Sequence, residues 1–509
     1  MVRTPSAVFL QDEQDRKITR RILWKLDIHI LPAIALLWLA NFIDRSNIGN
    51  ARIAGLEDDL HLKGNQFNII LAVFYLTYLV VEMPSNWVLK KMKPDRWIPL
   101  LVFVWGIVTT LTCLVQNFAG LVAVRLALGL CEGGLLAGIV LYLSTIYKRH
   151  ELQFRVGVFY ASASLSGAFG GLLATAIIRM DGIAGLAGWR WIFLLEGIAT
   201  CLLAFLAWMS MPSNIAEAKF LTPEEREFAL NRFRMDYGQQ STTLTPVEDT
   251  EKAGISKIEG ATVVAKPVEY EEERFEWREV IRGCVDPQLW LTGIAYFGIL
   301  VSLYSYSLFL PTIVSGLGYE AAEAQLHTVP PYVPAAVMTV VVAILSDRFK
   351  WRGPFILMFL PISIAGYILA IAATTDNARY AAVFLMATGV YPSVPCILSI
   401  LPNNNSGHYK KATTTALQIA IANCSGFVAT FAYSSDQKPK YIKGHAISLA
   451  FVCLAWVLIL LNVLYCRWEN KARAEGRRQS NIDTYQRLWD EGKTRAPIGE
   501  RHPAFIFTL

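Results

Sequence analysis

Twelve apolar stretches, most of them about 20 residues long or longer, constrain the fold of this chain more than any other feature. A helix needs about 20 apolar residues to cross the hydrocarbon core of a bilayer. The chain is 54% hydrophobic and only 17% charged, whereas soluble proteins carry about 25% charged residues. The composition therefore argues against a large soluble protein and predicts an all-α membrane protein. The predicted spans are residues 28–50, 67–89, 97–116, 119–146, 153–179, 190–211, 287–315, 327–346, 354–373, 379–400, 411–433 and 445–466.

The spans form two sets of six, separated by a polar segment, and two such sets indicate structural repeats around a central cavity. Within the polar segment, Thr222 followed by Pro223 predicts the N-cap and first turn of a helix. From Gly238 to about Phe275 the composition is typical of disorder. We therefore predict a cytoplasmic N-terminal segment 1–27, a six-helix bundle 28–211, a cytoplasmic linker 212–286, a second six-helix bundle 287–466 and a solvated cytoplasmic tail 467–509 without chemistry.

Basic residues concentrate in the loops that join even-numbered spans to odd-numbered ones. An even number of spans leaves both termini on one side, and the positive-inside rule places that side in the cytoplasm. The loop after span 11, with Lys438, Lys440 and Lys443, is an exception. No signal peptide is visible in the polar first 25 residues, so the first span is expected to direct insertion. The basic residues that follow the rule are Lys90, Lys91, Lys93, Arg96, Lys148, Arg149, Arg155, Arg348, Lys350, Arg352, Lys410 and Lys411.

The remaining composition excludes several classes of site. The net charge of +6 lies at the ends of apolar runs rather than in a nucleic-acid-binding stripe. The eight cysteines include no CxxC pair, so we predict neither a disulfide framework nor a metal site. No nucleophile–base set is recognisable, which argues against an enzyme, and no cofactor is implied.

Two pairs of charged residues lie inside predicted spans. Asp44 and Arg45 are adjacent in span 1, and Arg125 and Glu132 lie two turns apart on one face of span 4, about 10 Å along the helix axis. A charge at membrane depth costs about 2.5–3.5 kcal/mol on insertion scales, and such residues usually face a cavity or one another. Both pairs are expected in the middle-to-outer half of the membrane, where they can compensate across a wet cavity.

The four charges sum to zero, and this balance suggests a chemistry. Protonating one carboxylate leaves a net positive charge and frees an arginine to bind an anion. A guanidinium presents a planar fork that matches a carboxylate bidentately, which favours carboxylate substrates. The pattern therefore predicts coupled movement of a proton and an organic anion. The alternative is that the four residues only form ion pairs that hold helices together.

Other polar residues within the spans leave two interpretations open. Glu82 and Glu196 could each be a gate or a half-buried ion pair, and we favour the ion pair. Polar residues of the second half could line a site for a planar or polar substrate, or could form hydrogen bonds between helices. They are Tyr304, Tyr306 and Ser307 in span 7, Tyr391 and Ser393 in span 10, and Gln418 and Asn423 in span 11.

Several motifs distributed over residues 25–470 resemble one transporter family. In the first half they are Phe42-Ile43-Asp44-Arg45-Ser46-Asn47-Ile48-Gly49-Asn50-Ala51, Met83-Pro84-Ser85-Asn86, Arg125-Leu126-Ala127-Leu128-Gly129 with Glu132-Gly133-Gly134, and Gly188-Trp189-Arg190-Trp191-Ile192-Phe193 with Glu196-Gly197. In the second half they are Phe309-Leu310-Pro311-Thr312, Val329-Pro330-Pro331-Tyr332, Ser346-Asp347-Arg348 with Arg352-Gly353-Pro354, and Asn403-Asn404 through Ser406-Gly407-His408. The set resembles the major facilitator superfamily, in the fungal allantoate and nicotinate permease branch of its anion:cation symporters.

The resemblance implies the major facilitator fold and a role for each charged residue. Asp44 and Glu132 resemble the proton-handling carboxylates. Arg45 resembles the ligand of the substrate carboxylate, and Arg125 the partner that links the substrate and proton sites. Asp347 and Arg348 resemble the gating signature between spans 8 and 9. The corresponding signature between spans 2 and 3, Lys90-Lys91-Met92-Lys93-Pro94, lacks its acid.

We therefore expect a monomeric, proton-coupled importer of a small organic monocarboxylate in a fungal plasma membrane. Nicotinate is the first candidate, and allantoate or ureidosuccinate the second. The extra basic ligands of the related glutamate carriers are not apparent in span 7, which argues against a dicarboxylate. A nutrient receptor that does not transport, and an exporter of metabolites, are the alternatives. The expected substrate ligands are Arg45, Arg125, Tyr304, Tyr391 and Asn423.

Overall fold

The computed structural model describes residues 5–242, 276–319, 321–434, 437–494, 496 and 498–509, and within these ranges the regular structure is helical throughout. The described α-helices of the first half are α1 (Pro5–Ala51), α2 (Glu57–Asp59), α3 (Gln66–Lys91), α4 (Pro94–Leu111), α5 (Phe118–Glu132), α6 (Leu135–Ile146), α7 (Arg149–Ile177), α8 (Gly188–Ser210) and α9 (Pro223–Thr242). Those of the second half are α10 (Trp277–Val285), α11 (Pro287–Ser315), α12 (Ala321–His327), α13 (Val329–Phe349), α14 (Gly353–Ala372), α15 (Asp376–Val390), α16 (Ser393–Asn404), α17 (His408–Asn423), α18 (Ser425–Ala432), α19 (Ile442–Ala474) and α20 (Ser480–Asp490).

Each predicted span has a helical counterpart. Among the described residues, nine helices are long and apolar enough to cross a membrane. Predicted spans 2 and 5 correspond to α3 and α7, whose apolar parts are shorter, at 66–82 and 165–180. Span 4 is divided into α5 and α6. The structure thus confirms an all-α membrane protein, and α1 begins well before its predicted span, at Pro5.

The spans pack as two bundles that face each other. In the first half, α1 packs against α7 and α8, α3 against α5, and α4 against α8. In the second half, α11 packs against α17 and α19, and α14 against α15 and α19. Between the halves, α13 packs against α7, α1 against α11, and α18 against α3. The charged positions of α1 therefore lie at the interface of the two bundles.

Glycines allow α5 to pack closely against α3, and this packing positions the charged residues of α5. Gly129 and Gly133 are one turn apart, and a Cβ at Gly133 would lie only 2.5 Å from the carbonyl oxygen of Tyr78. A side chain at either glycine would push the helices apart, because the obstructing atoms include backbone. This close approach holds Arg125 and Glu132 beside the interior of the first bundle, where both are buried.

The halves meet at one end of the molecule, which we name the far end because it lies opposite α9 and α10. There, Gln325 Nε2 donates to the Asn50 carbonyl oxygen at 3.4 Å, and Asn68 Nδ2 donates to the carbonyl oxygen of Thr430. Gly49 packs directly on the carbonyl oxygen of Leu308, with no space for a Cβ. These contacts close the far end.

The linker begins as the sequence predicts. The Thr222 hydroxyl accepts from the Glu225 backbone N–H at 3.2 Å, and the Glu225 carboxylate accepts from the Thr222 N–H at 3.0 Å, so a capping box starts α9. Glu225 also pairs with Lys25 at 2.7 Å. α9 is thereby attached to the first bundle. The segment for which the sequence predicts disorder, 243–275, lies outside the described residues.

The prediction of a solvated tail is wrong. Ile498 and Phe507 are buried, as is the Glu500 carboxylate. The Asn404 side chain accepts from the Thr508 backbone N–H at 2.8 Å and donates to the Thr508 carbonyl oxygen at 3.1 Å. Apolar side chains spaced among the charges, together with these backbone partners, explain why residues 498–509 fold back onto the second bundle.

Candidate functional site

Residues 41–50 of α1 form a buried polar stretch at the centre of the bundle interface. A helix turns about 100° per residue, so neighbouring side chains in this stretch face different elements. α1 contacts α7 and α8 of its own bundle and α11 of the other. The buried polar side chains are Asn41, Asp44, Arg45, Ser46, Asn47 and Asn50.

Arg45 pairs with Glu132 and not with its sequence neighbour. Its Nε donates to Glu132 Oε2 at 3.2 Å, and Asn41 Nδ2 donates to the same oxygen at 2.8 Å. Both members of the ion pair are buried, with side-chain exposures of 8% and 1%. Such a pair is stabilising only when its remaining polar atoms are also satisfied, and breaking it by removing one partner costs about 3–5 kcal/mol.

Aromatic rings surround the rest of the Arg45 guanidinium. Cation–π attraction operates within about 6 Å of a ring centroid and strengthens when water is excluded. The rings hold the side chain in place without neutralising its charge. The distances from Arg45 Cζ to the ring centroids are 5.9 Å for Phe42, 5.4 Å for Phe74, 4.9 Å for Tyr78 and 5.9 Å for Tyr304.

Asp44 faces away from Arg45, into the first bundle. Its Oδ2 accepts from the Trp105 indole Nε1–H and, at 3.1 Å, from the Thr109 hydroxyl. Its other oxygen, Oδ1, is buried and has no hydrogen-bond partner among the described residues. The two adjacent charges of span 1 therefore belong to different surroundings, one to the bundle interface and one to the bundle core.

Arg125 lies among three buried carboxylates. Its guanidinium interacts electrostatically with Asp44, Glu132 and Glu196 and lies 5.8 Å from the centroid of the Phe193 ring. In the described part of the chain, its Nε and Nη2 have no hydrogen-bond acceptor. Arg125 thus compensates the acids through charge rather than through a close pair, and two of its guanidinium nitrogens lack an acceptor among the described residues.

Glu196 belongs to this cluster, although sequence reasoning favoured an ordinary half-buried ion pair. It is 4% exposed, and its Oε2 accepts from Asn47 Nδ2 at 2.7 Å. Among the described residues, Glu196 forms no ion pair within 4 Å. The signal that could have found it is its position inside an apolar span, where a carboxylate usually faces a cavity or another charged group.

A chain of hydrogen bonds runs from Arg45 across the bundle interface. Arg45 Nη1 donates to the Tyr304 hydroxyl oxygen at 3.4 Å, Tyr304 donates to Asn423 Oδ1 at 3.4 Å, and Asn423 Nδ2 donates to Glu82 Oε2 at 3.3 Å. Tyr304 and Asn423 belong to the second bundle, whereas Arg45 and Glu82 belong to the first. Two buried or half-buried carboxylates, Glu132 and Glu82, are therefore linked through both bundles.

Tyr391 lies in a separate aromatic group of the second bundle. Its ring centroid is 6.3 Å from that of Tyr306 and 5.8 Å from that of Tyr332, both in edge-on arrangements. Tyr306 in turn donates to the Val383 carbonyl oxygen at 3.3 Å. Tyr391 reaches the bundle interface from the break between α15 and α16, where Pro392 interrupts the helix.

A small central cavity of about 20 Å³ lies between the bundles. Of the predicted site residues, Arg45, Tyr304, Tyr391 and Asn423 line it, whereas Asp44, Arg125 and Glu132 lie behind its wall. Among the described lining residues, Arg45 is the one charged side chain. The other lining residues are Trp38, Phe42, Tyr78, Leu136, Ala163, Tyr296, Leu300, Leu303 and Val394.

The predicted gating residues lie at the end of α13, away from this cavity. Asp347 accepts from Arg352 Nη2, and Arg352 Nη1 donates to the Ser346 hydroxyl at 2.6 Å. Arg348 is exposed. Among the described residues, no group of three or more His, Cys, Asp or Glu side chains is placed to hold a metal ion.

Comparison with known proteins decides the family. The profile of the Major Facilitator Superfamily matches residues 34–430. An uncharacterized transporter of Schizosaccharomyces pombe is 36% identical over 97% of this chain and 93% of its own length. The chain belongs to the major facilitator superfamily. It is a multi-pass membrane transporter and not an enzyme, as the sequence predicts.

Other relatives and the solved structures agree. An MFS-type transporter of Hormonema carpetanum is 33% identical, covering 90% of this chain and 87% of its own. A high-affinity nicotinic acid transporter of Saccharomyces cerevisiae is 29% identical, covering 96% and 84%. The structure of a bacterial homologue of the human lysosomal transporter Spinster, inward-facing and unoccupied, aligns with a TM-score of 0.60 at 16% identity, over 85% of this chain and 95% of the other. That likeness establishes the fold, and the relatives place the chain among fungal transporters of the superfamily.

Proposed function

We propose that this transporter is a symporter that imports a small organic monocarboxylate together with at least one proton. The observation that carries the proposal is Arg45, the charged side chain that lines the central cavity between the two bundles. A cation held by aromatic rings in a cavity closed at its far end is suited to bind a single carboxylate by a bidentate contact.

Glu132 supplies the coupling in this proposal. An entering carboxylate must compete with Glu132 for Arg45 Nε, because both are anionic acceptors of the same donor. Protonation of Glu132 removes its charge and releases the guanidinium. Proton binding therefore favours anion binding, and the reverse holds by linkage.

Arg125, Asp44 and Glu196 supply the electrostatic background of that exchange. With Glu132 ionised, three carboxylates face the guanidinium of Arg125. Neutralising Glu132 leaves Asp44 and Glu196, so the cluster tolerates a change of one charge. Arg125 therefore connects the proton site to the substrate site without lining the cavity.

The hydrogen-bond chain to Glu82 connects the same exchange to movement of the bundles. An anion on Arg45 competes with the Tyr304 hydroxyl for Nη1, and this bond crosses the interface. Loss of the bond weakens one of the two polar links between the halves at the cavity. Alternating access then proceeds by rocking of one bundle against the other, with Asp347 and Arg348 acting at the tail end of the second bundle.

The aromatic walls favour a flat substrate. Tyr78, Tyr304 and Tyr391 line the cavity with ring faces and edges, and a single cation matches a single carboxylate. Nicotinate fits this description best and allantoate less well, since allantoate has no aromatic ring. A relative named as a high-affinity nicotinic acid transporter supports the same choice.

Uptake into proteoliposomes tests the proposal. Labelled nicotinate should accumulate when the proton gradient points inward, and Arg45→Ala should abolish both binding and uptake. Arg190→Ala is the control, because Arg190 is a partly exposed guanidinium at the far end paired with Asp59 at 3.0 Å. Failure of every monocarboxylate in a thermal-shift panel to stabilise the purified protein would count against an anion site, because a bound ligand stabilises by mass action.

Counterflow of labelled substrate separates a transporter from a receptor, which binds without exchange. Accumulation with the gradient reversed would indicate the exporter instead. We further propose that the protein acts as a monomer in the plasma membrane with both termini in the cytoplasm, which the distribution of basic loops supports. Protease accessibility of the tail in sealed vesicles tests the orientation.

A further inference from the structure

A second cavity lies outside the transport pathway, beneath the tail. It has a volume of about 370 Å³ and lies between α10, the start of α17, the end of α19 and residues 498–509. Its walls carry both apolar side chains, Val285 and Phe507, and a dense set of charges. The tail creates this cavity by folding back onto the second bundle, and a solvated tail would not form it.

The charges of the cavity wall are predominantly positive. Five cations face three carboxylates, so the described lining carries a formal excess of two positive charges. The cations are Arg282, Lys410, Arg473, Arg478 and Arg501. The carboxylates are Asp286, Glu469 and Glu500.

Glu500 is already committed to its cationic neighbours. It accepts from Lys410 Nζ at 2.9 Å and from Arg282 Nη2. Burial alone would raise the pKa of Glu500, but Lys410 and Arg282 outweigh it and lower the pKa to about 2. Glu500 thus stays ionised and holds the tail in place, and it does not cancel the remaining guanidinium groups.

Two guanidinium nitrogens in the wall have unused donors. Arg473 Nε and Arg501 Nη2 are buried without a hydrogen-bond acceptor among the described residues. Their carboxylate partners, Glu469 and Glu279, lie 3.7 Å away in both cases, beyond hydrogen-bond distance. Both nitrogens are shielded from solvent, so their charge is not cancelled by a close partner and adds to the positive potential of the cavity wall.

The adjacent surface of α10 is apolar and exposed. Trp277, Ile281 and Val285 are 70%, 59% and 71% exposed and recur every fourth residue, so they form one stripe. Glu279 and Gly283 on the opposite face are buried. α10 ends directly before Pro287, where the seventh span begins, and this places the stripe at the depth of the membrane surface.

We propose that α10 lies in the membrane interface and that the cavity beside it binds the phosphate headgroup of an anionic phospholipid. The stripe of Trp277, Ile281 and Val285 enters the boundary of headgroups and acyl chains, as amphipathic interfacial helices do. A basic cavity opening beside such a helix meets lipid headgroups from the side. The apolar Val285 at the cavity rim then contacts the acyl chains, and the partly exposed guanidinium groups of Arg478 and Arg501 in the wall meet the phosphate.

Native mass spectrometry of the full-length protein tests this proposal. The protein is released from mixed micelles containing phosphatidylserine or phosphatidylcholine, and retained lipids are counted. We expect selective retention of phosphatidylserine, and about fivefold weaker retention for each arginine removed in Arg478→Gln and Arg501→Gln. Arg477→Gln is the matched control, because Arg477 is half-exposed, pairs with Glu475 and does not line the cavity.

Two competition measurements distinguish a phospholipid headgroup from a free phosphate compound as the bound anion. Inorganic phosphate and phosphoserine, added at the concentration of the lipid, should leave retention unchanged if the acyl chains contribute. Displacement by either would overturn the lipid assignment. Equal retention of the two lipids by the wild-type protein would overturn the site itself, whether or not the arginine variants fold. Trp277→Ser should weaken retention without changing selectivity, because it alters the apolar contact alone.

Discussion

Glu132→Gln separates proton coupling from anion binding. In the wild-type protein, Glu132 Oε2 accepts a charge-assisted bond from Arg45 and a second bond from Asn41. A hydrogen bond to a charged group contributes about 1.5–3 kcal/mol and a neutral one about 0.5–1.5 kcal/mol. The glutamine keeps the shape and one acceptor oxygen, so the substitution weakens competition for Arg45 by about 1–1.5 kcal/mol. The expected result is anion binding about five- to tenfold tighter.

The dependence of anion affinity on pH is expected to differ between the wild type and Glu132→Gln. Protonation of wild-type Glu132 removes the competing charge, so anion affinity rises as the pH falls. In Glu132→Gln the competing charge is absent at every pH, so affinity should be flat and equal to the low-pH limit of the wild type. Isothermal titration with nicotinate at several pH values measures this. Proteoliposomes should show counterflow for the variant but no accumulation against a gradient.

Two results would refute the reasoning. One is uptake by Glu132→Gln that still follows the proton gradient, which would place the coupling proton elsewhere. The other is weaker anion binding, which would mean that Glu132 positions Arg45 rather than competing for it. Glu217→Gln is the control, since Glu217 pairs with Lys93 at 2.8 Å on the surface, where both side chains are about half exposed.

Three other substitutions test the rest of the structure. Asp44→Asn keeps an acceptor oxygen for Trp105 and Thr109 but makes both hydrogen bonds neutral, so we expect the free energy of unfolding to fall by about 2 kcal/mol while anion affinity is retained. Thermal unfolding and titration with nicotinate measure the two effects. Gly49→Ala forces a methyl group against the Leu308 carbonyl oxygen, which cannot turn away, so spin-label distances across the far end should lengthen. Glu500→Gln removes the ion pairs of Glu500 with Lys410 and Arg282. Their contribution to the free energy of unfolding, about 3 kcal/mol from the lowered pKa, is present above the ordinary carboxyl range and is lost as the pH falls toward 2. Hydrogen exchange of residues 498–509 should therefore accelerate in the variant at neutral pH, with Glu491→Gln as control.

The sequence was sufficient to predict the fold and to indicate that Arg45 faces a cavity, because long apolar segments and charges at membrane depth have few physical solutions. It could not predict how the charges would pair. Asp44 and Arg45 are adjacent, but helical rotation directs one to Trp105 and the other to Glu132. Which neighbour each residue meets depends on the packing of α1, and no local pattern records that packing.

The predictions of a solvated tail and of an ion pair at Glu196 are wrong for a related reason. Charged residues at a chain end are typical of solvated segments, and only tertiary contacts such as those of Glu500 with Lys410 show otherwise. The sequence prediction for Glu196 considers that residue alone, whereas its electrostatic surroundings depend on its proximity to Arg125. The bond between Asn423 and Glu82 joins residues 341 positions apart, a separation at which sequence patterns carry no information.

The link between the bundles at the cavity has an energetic consequence for the transport cycle. In the series of hydrogen bonds that runs from Arg45 to Glu82, two bonds cross the interface between the bundles. They are Arg45 to Tyr304 and Asn423 to Glu82, and both are long. Each joins a charged group to a neutral one, so at about 1.5–3 kcal/mol for such a bond the two add only a few kcal/mol to the contacts at the far end. A difference of a few kcal/mol between two conformations leaves the minor one at about 0.1–10% of molecules. Substrate binding energy of ordinary size is then enough to redistribute the population, so the carrier can turn over at modest substrate concentrations.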